Sequence, residues 1–138
     1  MVAEQPILVT ALVFFSEDGK ILTARKQNTQ RFMLVGGKPE PGESFEAAGV
    51  REAKEEIGID ISEADLAYLG TWTVAAANES GRLVTGTVFT VCPRLKVLPT
   101  PSAELAELKW LDPAQPLPAN LAPLLETRIL PALAFPNS

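Results

Sequence analysis

The sequence contains no histidine and a single cysteine among its 138 residues. The absence of histidine excludes a Ser-His-Asp triad, an imidazole general base and a His-ligated zinc ion. With Cys92 alone, the sequence offers neither an internal disulfide nor a cysteine-rich metal site, and a reducing compartment is the expected environment. Any catalysis must therefore depend on carboxylates, lysines, arginines, hydroxyls, backbone groups or a bound cofactor.

Long apolar segments and excess positive charge are also missing. No apolar run approaches the ~20 residues that span a bilayer, and the N-terminus does not resemble a signal peptide. We therefore expect a cytoplasmic protein without a membrane partner. The net charge of −5 argues against nucleic acid as a partner. The length fits one domain, 1–138.

Strands and two separated helices are predicted along the chain. β-Branched and aromatic residues predict strands over 7–15, 21–25, 66–77, 83–92 and 105–111. Residues 38–43 contain two prolines and a glycine, which predicts a loop. Ser44 offers an N-cap for a helix over Phe45–Ile57, with Gly58 as its C-terminal stop. A closing helix is predicted over 120–133, so one α/β or α+β domain is expected.

Six of the 17 acidic residues, all glutamates, fall within residues 37–59. Because successive helical residues are rotated by about 100°, Glu52, Glu55 and Glu56 share a face whose N-terminal half is apolar or small. Three carboxylates on such a face repel one another and are costly to bury. A divalent cation is one partner that would compensate them. The alternative is a solvated helix with ion pairs such as Arg51 with Glu55.

A glycine-lysine loop precedes this helix. Gly36 and Gly37 allow backbone groups to approach a ligand closely, and Lys38 provides a mobile positive charge suited to phosphate. A loop of this kind beside clustered carboxylates suits a metal-bound phosphate substrate. A pair of glycines is on its own equally consistent with a simple turn.

The same segment resembles the Nudix box, G-x5-E-x7-R-E-U-x-E-E-x-G-U, in which U is a bulky aliphatic residue. All seven fixed positions agree, and they are Gly37, Glu43, Arg51, Glu52, Glu55, Glu56 and Gly58. Ile59 fits the final aliphatic position, whereas Ala53 is smaller than the pattern prefers. The resemblance to MutT-like Nudix hydrolases implies an α/β fold, the Nudix-type α/β/α sandwich with a mixed central sheet.

The resemblance implies hydrolysis of a nucleoside diphosphate linked to another moiety, such as a nucleoside triphosphate, a nucleotide sugar or ADP-ribose, with Mg²⁺ or Mn²⁺ as cofactor. By analogy with the family, the metal ligands would be Glu52, Glu55, Glu56 and the carbonyl of Gly36. Gly37, Glu43, Arg51 and Gly58 would support the geometry of the box. A small-molecule nucleotide is the implied partner, and a homodimer is an assembly that relatives commonly adopt.

The general base and the phosphate contacts are less sharply indicated. Without histidine the base should be a glutamate, and Glu52, Glu56 and Glu104 are the candidates. Glu104 lies where the family often places an additional glutamate, and Glu107 is the second choice for that position. Lys38 and Arg25 are candidates for binding substrate phosphate, although a surface ion pair explains Arg25 equally well.

The sequence says less about the substrate. Ala75 and Ala76 stand where ADP-ribose-type and dinucleoside-polyphosphate-type signatures have proline and tyrosine, respectively. Four aromatic residues are candidates for stacking on a base, and most of them are expected to serve the core: Phe32, Trp72, Phe89 and Trp110.

Two other functions fit a Nudix-like fold. A non-catalytic, nucleotide-sensing Nudix domain is one alternative, but such a domain has no need of the complete set of box glutamates. An isomerase acting on a diphosphate is the other alternative. That reaction calls for a catalytic cysteine and histidine set, and the missing histidines disfavour it.

Overall fold

The computed structural model describes residues 5–77, 79–102 and 104–134. The expected single domain, 1–138, also includes 1–4, 78, 103 and 135–138, which lie outside the described residues. The strands are β1 Ile7–Ser16, β2 Ile21–Lys26, β3 Val35–Gly37, β4 Leu66–Ala75, β5 Leu83–Leu95 and β6 Leu105–Leu111. The helical elements are α1 Phe45–Ile57, a 3-10 turn Glu63–Asp65, a π-helix Leu125–Ile129 and α2 Leu130–Ala134.

One mixed sheet organises the fold. Its strand order is β4-β5-β1-β2-β6, and β3 pairs separately with β1. The pairing of β1 with β5 is parallel, and the other pairings are antiparallel. The expected mixed central sheet is confirmed.

Helices cover both faces of this sheet. Because side chains alternate along a strand, Leu12 and Phe14 of β1 face the core under α1, which also contains Ala53 and Ile57. Their neighbours Ala11 and Val13 belong to a second core, formed with Leu121, Leu125 and Ile129 of the C-terminal segment, residues 121–134. The α/β/α sandwich is therefore confirmed, with one core on each side of the sheet.

Helix α1 has the predicted bounds and the predicted caps. The side chain of Ser44 accepts a hydrogen bond from the backbone N–H of Ala47 at 3.0 Å. Gly58 ends the helix in the left-handed conformation, with φ of 69°. Within the described ranges, no helix is long and apolar enough to cross a membrane.

The ends of β1, β2 and β4 differ from the sequence prediction by one or two residues, and three elements differ further. Gly36 and Gly37 lie in β3, which pairs with β1 through Thr10, Ala11 and Leu12. Strand β5 continues past residue 92 to Leu95. The C-terminal helical segment begins later than residue 120, because Leu121 forms a bridge with Phe32 instead. In each case a pairing with a distant strand or segment overrides the local preference.

Candidate active site

A cleft of about 590 Å³ runs across β1 between α1 and the C-terminal segment. Its glutamate end is lined by Lys26, Gly36, Gly37, Lys38, Glu52, Glu56 and Glu104, and its apolar end by Ile7, Val9, Ala75, Val84 and Leu124. Ala11 pairs with Gly36, whereas Ile7 pairs with Val84 four residues earlier in β1. At ~3.3 Å per residue the two ends lie about 13 Å apart. The cleft is thus long enough to hold a charged group and an organic group side by side, and its volume is typical of a ligand site.

Glu56 is the most deeply buried carboxylate of the cleft. The residue is 4% exposed, and its Oε1 accepts a hydrogen bond from the backbone N–H of Gly36 at 3.0 Å. Burial raises the pKa of Glu56 to about 7, although the Gly36 hydrogen bond opposes this change. Position 36 has no room for a side chain, since a Cβ would overlap the carbonyl of Thr10. Glycine at position 36 therefore lets β3 lie close against β1, and the N–H of the same residue holds Glu56.

Glu52 lies one helical turn before Glu56 and lines the same cleft. Its side chain is 13% exposed, and a Cβ on Gly37 would overlap its carboxylate. Burial raises the pKa of Glu52, and the positive charge of Arg51 partly offsets that increase. The two glycines of β3 thus lie directly against the two buried carboxylates of α1.

Arg51 ties the proline-containing loop to α1. Its Nε and one terminal nitrogen donate to the two carboxylate oxygens of Glu43 at 2.8 and 2.9 Å, and another bond reaches the carbonyl of Lys38 at 3.1 Å. The Arg51 hydrogen bond lowers the pKa of Glu43 to about 2. Glu55 is also paired with Arg51, at 3.2 Å, and its side chain is 58% exposed. Glu55 therefore turns away from the cleft, unlike Glu52 and Glu56.

The donor set of the cleft fits a divalent cation. Within the described residues, no group of three or more acidic, cysteine or histidine side chains converges into a ready-made metal site. Mg²⁺ does not require such a cage, because it usually keeps several waters and binds through one or two carboxylates plus substrate phosphates. Glu52 and Glu56 supply two partly desolvated carboxylates, and a buried anion gains stability from a nearby cation.

Lys26 is the positive charge at the glutamate end that sequence reasoning missed. Lys26 lines the cleft, and its charge lowers the pKa values of Glu52 and Glu56. Its neighbour Arg25 instead donates to the carbonyl of Thr29 at 2.8 Å and pairs with Glu107 at 3.4 Å. One signal in the sequence could have identified Lys26. Adjacent strand residues point to opposite faces, so Arg25 and Lys26 are not both expected to face the cleft.

Glu104 reaches the cleft from the segment before β6. Its backbone carbonyl accepts a hydrogen bond from the backbone N–H of Gln27 at 3.0 Å, which places Glu104 beside Lys26 at the end of β2. Glu104 lies near enough to Glu56 to contribute to raising its pKa. Glu107, the second choice for this position, is paired with Arg25 and is not among the residues that line the cleft.

Among the residues that the structure describes, no aromatic side chain lines the cleft. Phe32 and Trp72 belong to the core beneath the C-terminal segment, whereas Phe89 and Trp110 belong to the core beneath α1. The apolar end of the cleft is instead lined by aliphatic side chains, together with Glu79 from the turn between β4 and β5. The suggestion that one of the four aromatic residues stacks on a base therefore finds no support in this cleft.

Comparison with known proteins places these features in a family. The family model described as "NUDIX domain" matches residues 5–133. The isopentenyl-diphosphate Delta-isomerase of Nocardia farcinica (strain IFM 10152) is 31% identical over 113 residues, which cover 76% of this chain and 63% of the isomerase. A proposed 8-oxo-dGTP diphosphatase of Bacillus subtilis (strain 168) is 28% identical over 112 residues, covering 81% of this chain and 70% of that protein.

The fold also matches a solved structure. The crystal structure of the MutT protein from Methanosarcina mazei Go1 superposes with a TM-score of 0.70, at 23% identity, over 87% of this chain and 90% of that chain. This similarity concerns the fold alone. The chain spans less than two thirds of the length of the Nocardia isomerase.

Proposed function

The chain belongs to the Nudix domain family, and from this premise we propose that it is a Mg²⁺- or Mn²⁺-dependent pyrophosphohydrolase that cleaves a nucleoside diphosphate linked to another group. One observation carries the proposal. Glu52, Glu56 and Glu104 line the same end of a cleft that also contains Lys26 and Lys38. Partly buried carboxylates and mobile positive charges within one cleft suit a metal ion and a chain of phosphates.

Each residue of the glutamate end has a role in this proposal. Glu52, Glu56 and the carbonyl of Gly36 would hold the metal ion, and Glu55 would join them only by giving up its ion pair with Arg51. Lys26 and Lys38 bind the phosphates, so Lys26 replaces Arg25 in the proposed set. When bound, the metal ion would supply positive charge and Lewis acidity to the phosphates.

Glu104 is the proposed general base. Its carboxylate takes a proton from a water molecule, the water oxygen forms a bond to phosphorus, and the bond between phosphorus and the bridging oxygen breaks. The leaving group departs with that oxygen as an anion. Glu104 suits this task better than Glu52 or Glu56, because it reaches the cleft from a separate element and leaves both helix carboxylates to the metal.

The test is an assay of purified protein against a panel of nucleoside triphosphates, nucleotide sugars, ADP-ribose and dinucleoside polyphosphates at alkaline pH. The name of the Bacillus relative adds 8-oxo-dGTP to the panel. Turnover with Mg²⁺ or Mn²⁺ that EDTA abolishes is the expected result. Glu104→Gln should lower kcat by about 10²- to 10⁴-fold, the usual contribution of a general base. Glu107→Gln is the matched control, since Glu107 lies outside the cleft, and it should retain near wild-type kcat.

Two outcomes would contradict the proposal. A tight nucleotide complex without turnover of any substrate would favour the non-catalytic sensing domain. Equal losses in Glu104→Gln and Glu107→Gln would remove Glu104 from its assigned role. The isomerase alternative gains nothing from the site, because the chain has no histidine and Cys92 is exposed on β5, outside the residues that line the cleft. A homodimer and a cytoplasmic location remain predictions.

A further inference from the structure

We propose that Leu124 is a specificity-determining residue, which limits the size of the organic group that fits the apolar end of the cleft, and that Gly86 provides the space in which Leu124 rests. The inference rests on the proposed function, because the size limit applies to the group attached to the diphosphate. The contact between Leu124 of the C-terminal segment and Gly86 of the sheet would set this size limit.

The contact between Leu124 and Gly86 is tight. An ideal Cβ on Gly86 would lie 2.5 Å from Cδ2 of Leu124 and 3.6 Å from its Cδ1 and Cγ. Gly86 is buried near the start of β5, where it pairs with Val9 of β1 and Trp72 of β4. A methyl group of Leu124 therefore occupies the place where any side chain at position 86 would begin.

Leu124 faces the cleft as well as the sheet. It is half-buried, it packs against the core of the C-terminal segment, and it lines the cleft together with Val9 and Val84. Val9 lies two residues from Ala11, the partner of Gly36, so Leu124 stands ~7 Å along β1 from the glutamate end. A group that is attached to a diphosphate at the glutamate end and extends along β1 would reach Leu124.

The position of Leu124 can be changed in two opposite ways. The side chain of Leu124 forms a wall of the apolar end, and Leu124→Ala removes this wall and enlarges that end of the cleft. Gly86→Ala adds a methyl group beneath the wall, and Leu124 must then move. The side chain can do so cheaply, because the atom that overlaps is the far end of a flexible side chain. When the Leu124 side chain is displaced from β5, it moves into the cleft and makes the apolar end smaller. The two substitutions should therefore shift size selectivity in opposite directions.

The experiment compares kcat/KM for purine triphosphates (ATP, GTP) with that for pyrimidine triphosphates (CTP, UTP), using Mg²⁺ and the full chain. The purine-to-pyrimidine ratio should rise by about 10-fold in Leu124→Ala and fall by a similar factor in Gly86→Ala, within the range that a few methylenes in an apolar pocket provide. Leu133→Ala is the matched control. Leu133 packs against the same core but is not among the residues that line the cleft, so its ratio should stay at the wild-type value.

The double variant Gly86→Ala/Leu124→Ala tests the contact itself. If Gly86 acts through Leu124, adding Gly86→Ala to Leu124→Ala should leave the ratio unchanged, because the side chain that it displaces is gone. Thermal unfolding of all four proteins checks that Gly86→Ala folds. If Gly86→Ala does not fold, the comparison of Leu124→Ala with Leu133→Ala decides the proposal. The purine-to-pyrimidine ratio must then rise in Leu124→Ala and stay unchanged in Leu133→Ala.

Failure of this proposal can be told apart from failure of the proposed function. Ratios within twofold of wild type in Leu124→Ala, in an enzyme that turns over the panel, would overturn the role of Leu124. If the wild type turns over no substrate, the proposed function fails, and the wall is tested by calorimetry with α,β-methylene ATP and α,β-methylene CTP. The same change in the affinity ratio would support the wall, whereas an unchanged ratio or no binding of either analogue would overturn it.

Discussion

Glu56 combines three properties at the scale of a single residue. It is almost fully buried, it accepts a hydrogen bond from the backbone of Gly36, and burial raises its pKa to about 7. A carboxyl group that gains this pKa on folding is held near the point of ionisation at neutral pH. Its charge then depends on what cation the cleft contains.

The stability of the metal-free protein should therefore depend on Glu56. Its pKa is higher in the folded protein than its ordinary value near 4.5, so the folded state binds more protons between these two values. The free energy of unfolding should fall as pH rises from about 4.5 through about 7, by an amount on the order of 3 kcal/mol. Glu56→Gln should remove this part of the pH dependence.

Urea unfolding in EDTA at pH 4.5, 6 and 8 measures the effect. At pH 8 Glu56→Gln should be more stable than the wild type, and the difference should disappear near pH 4.5. Adding Mg²⁺ at pH 8 should stabilise the wild type more than the variant. A parallel pH dependence in the two proteins would contradict the assignment.

Lys26 and Arg25 form a natural pair for comparison at the same scale. Lys26 lines the cleft, whereas Arg25 is occupied by Thr29 and Glu107. Lys26→Met should lower kcat/KM by about 10-fold or more, because a phosphate then loses a charge-assisted contact. Arg25→Met should stay within a few-fold of wild type in steady-state assays of the same substrate. A greater loss in Arg25→Met would restore Arg25 as the phosphate ligand.

The loop and helix of the Nudix box act together at the scale of elements. Arg51 of α1 binds Glu43 through two hydrogen bonds and the carbonyl of Lys38 through a third. Lys38 follows directly on β3, whose glycines lie against Glu52 and Glu56. The two hydrogen bonds between Arg51 and Glu43 form a clamp. This clamp positions Lys38 and the carboxylates of Glu52 and Glu56 relative to each other.

Acid titration should reveal this clamp. The pKa of Glu43 is lowered to about 2 in the folded protein by the hydrogen bond from Arg51. Its stabilising contribution is thus complete above the ordinary carboxyl pKa and is lost as pH falls through about 2. Glu43→Gln should be less stable than the wild type at pH 7, and the gap should narrow progressively from pH 4.5 to pH 2. Denaturant unfolding at four pH values measures it, and a gap that is independent of pH would contradict the clamp.

The sequence predicted α1 better than it predicted the elements around it. Ser44 and Gly58 define both ends of α1 through hydrogen bonds that span only a few residues. By contrast, Gly36 and Gly37 have low intrinsic preference for a strand, and they form β3 because β1 lies beside them. A strand created by a distant partner leaves no local pattern to detect.

At the scale of the whole molecule, the described residues form two cores that share a single sheet. Adjacent residues of β1 and of β5 alternate between them, with Val88 in one core and Phe89 in the other. Each core also has its own tryptophan, since Trp72 packs against the core of the C-terminal segment and Trp110 against the core under α1. Neither side of the sheet can lose its packing without disturbing strands that the other side needs.

We therefore expect the two cores to unfold as one unit. Trp110→Phe leaves Trp72 as the reporter of one core, and Trp72→Phe leaves Trp110 as the reporter of the other. In each variant, the urea midpoint from tryptophan fluorescence should coincide with the midpoint from far-UV circular dichroism. Separate midpoints in either variant would mean that one core melts independently.

The sequence alone determined the chemistry available to this protein and the helix that presents it. The absence of histidine and the spacing of the box glutamates required only composition and the period of a helix. The tertiary structure decided which groups meet. Glu56 is buried and Glu55 is not, Lys26 rather than Arg25 faces the cleft, and Leu124 rests on Gly86. These outcomes depend on pairings between strands far apart in the chain, and burial of a side chain is set by such neighbours rather than by its own identity.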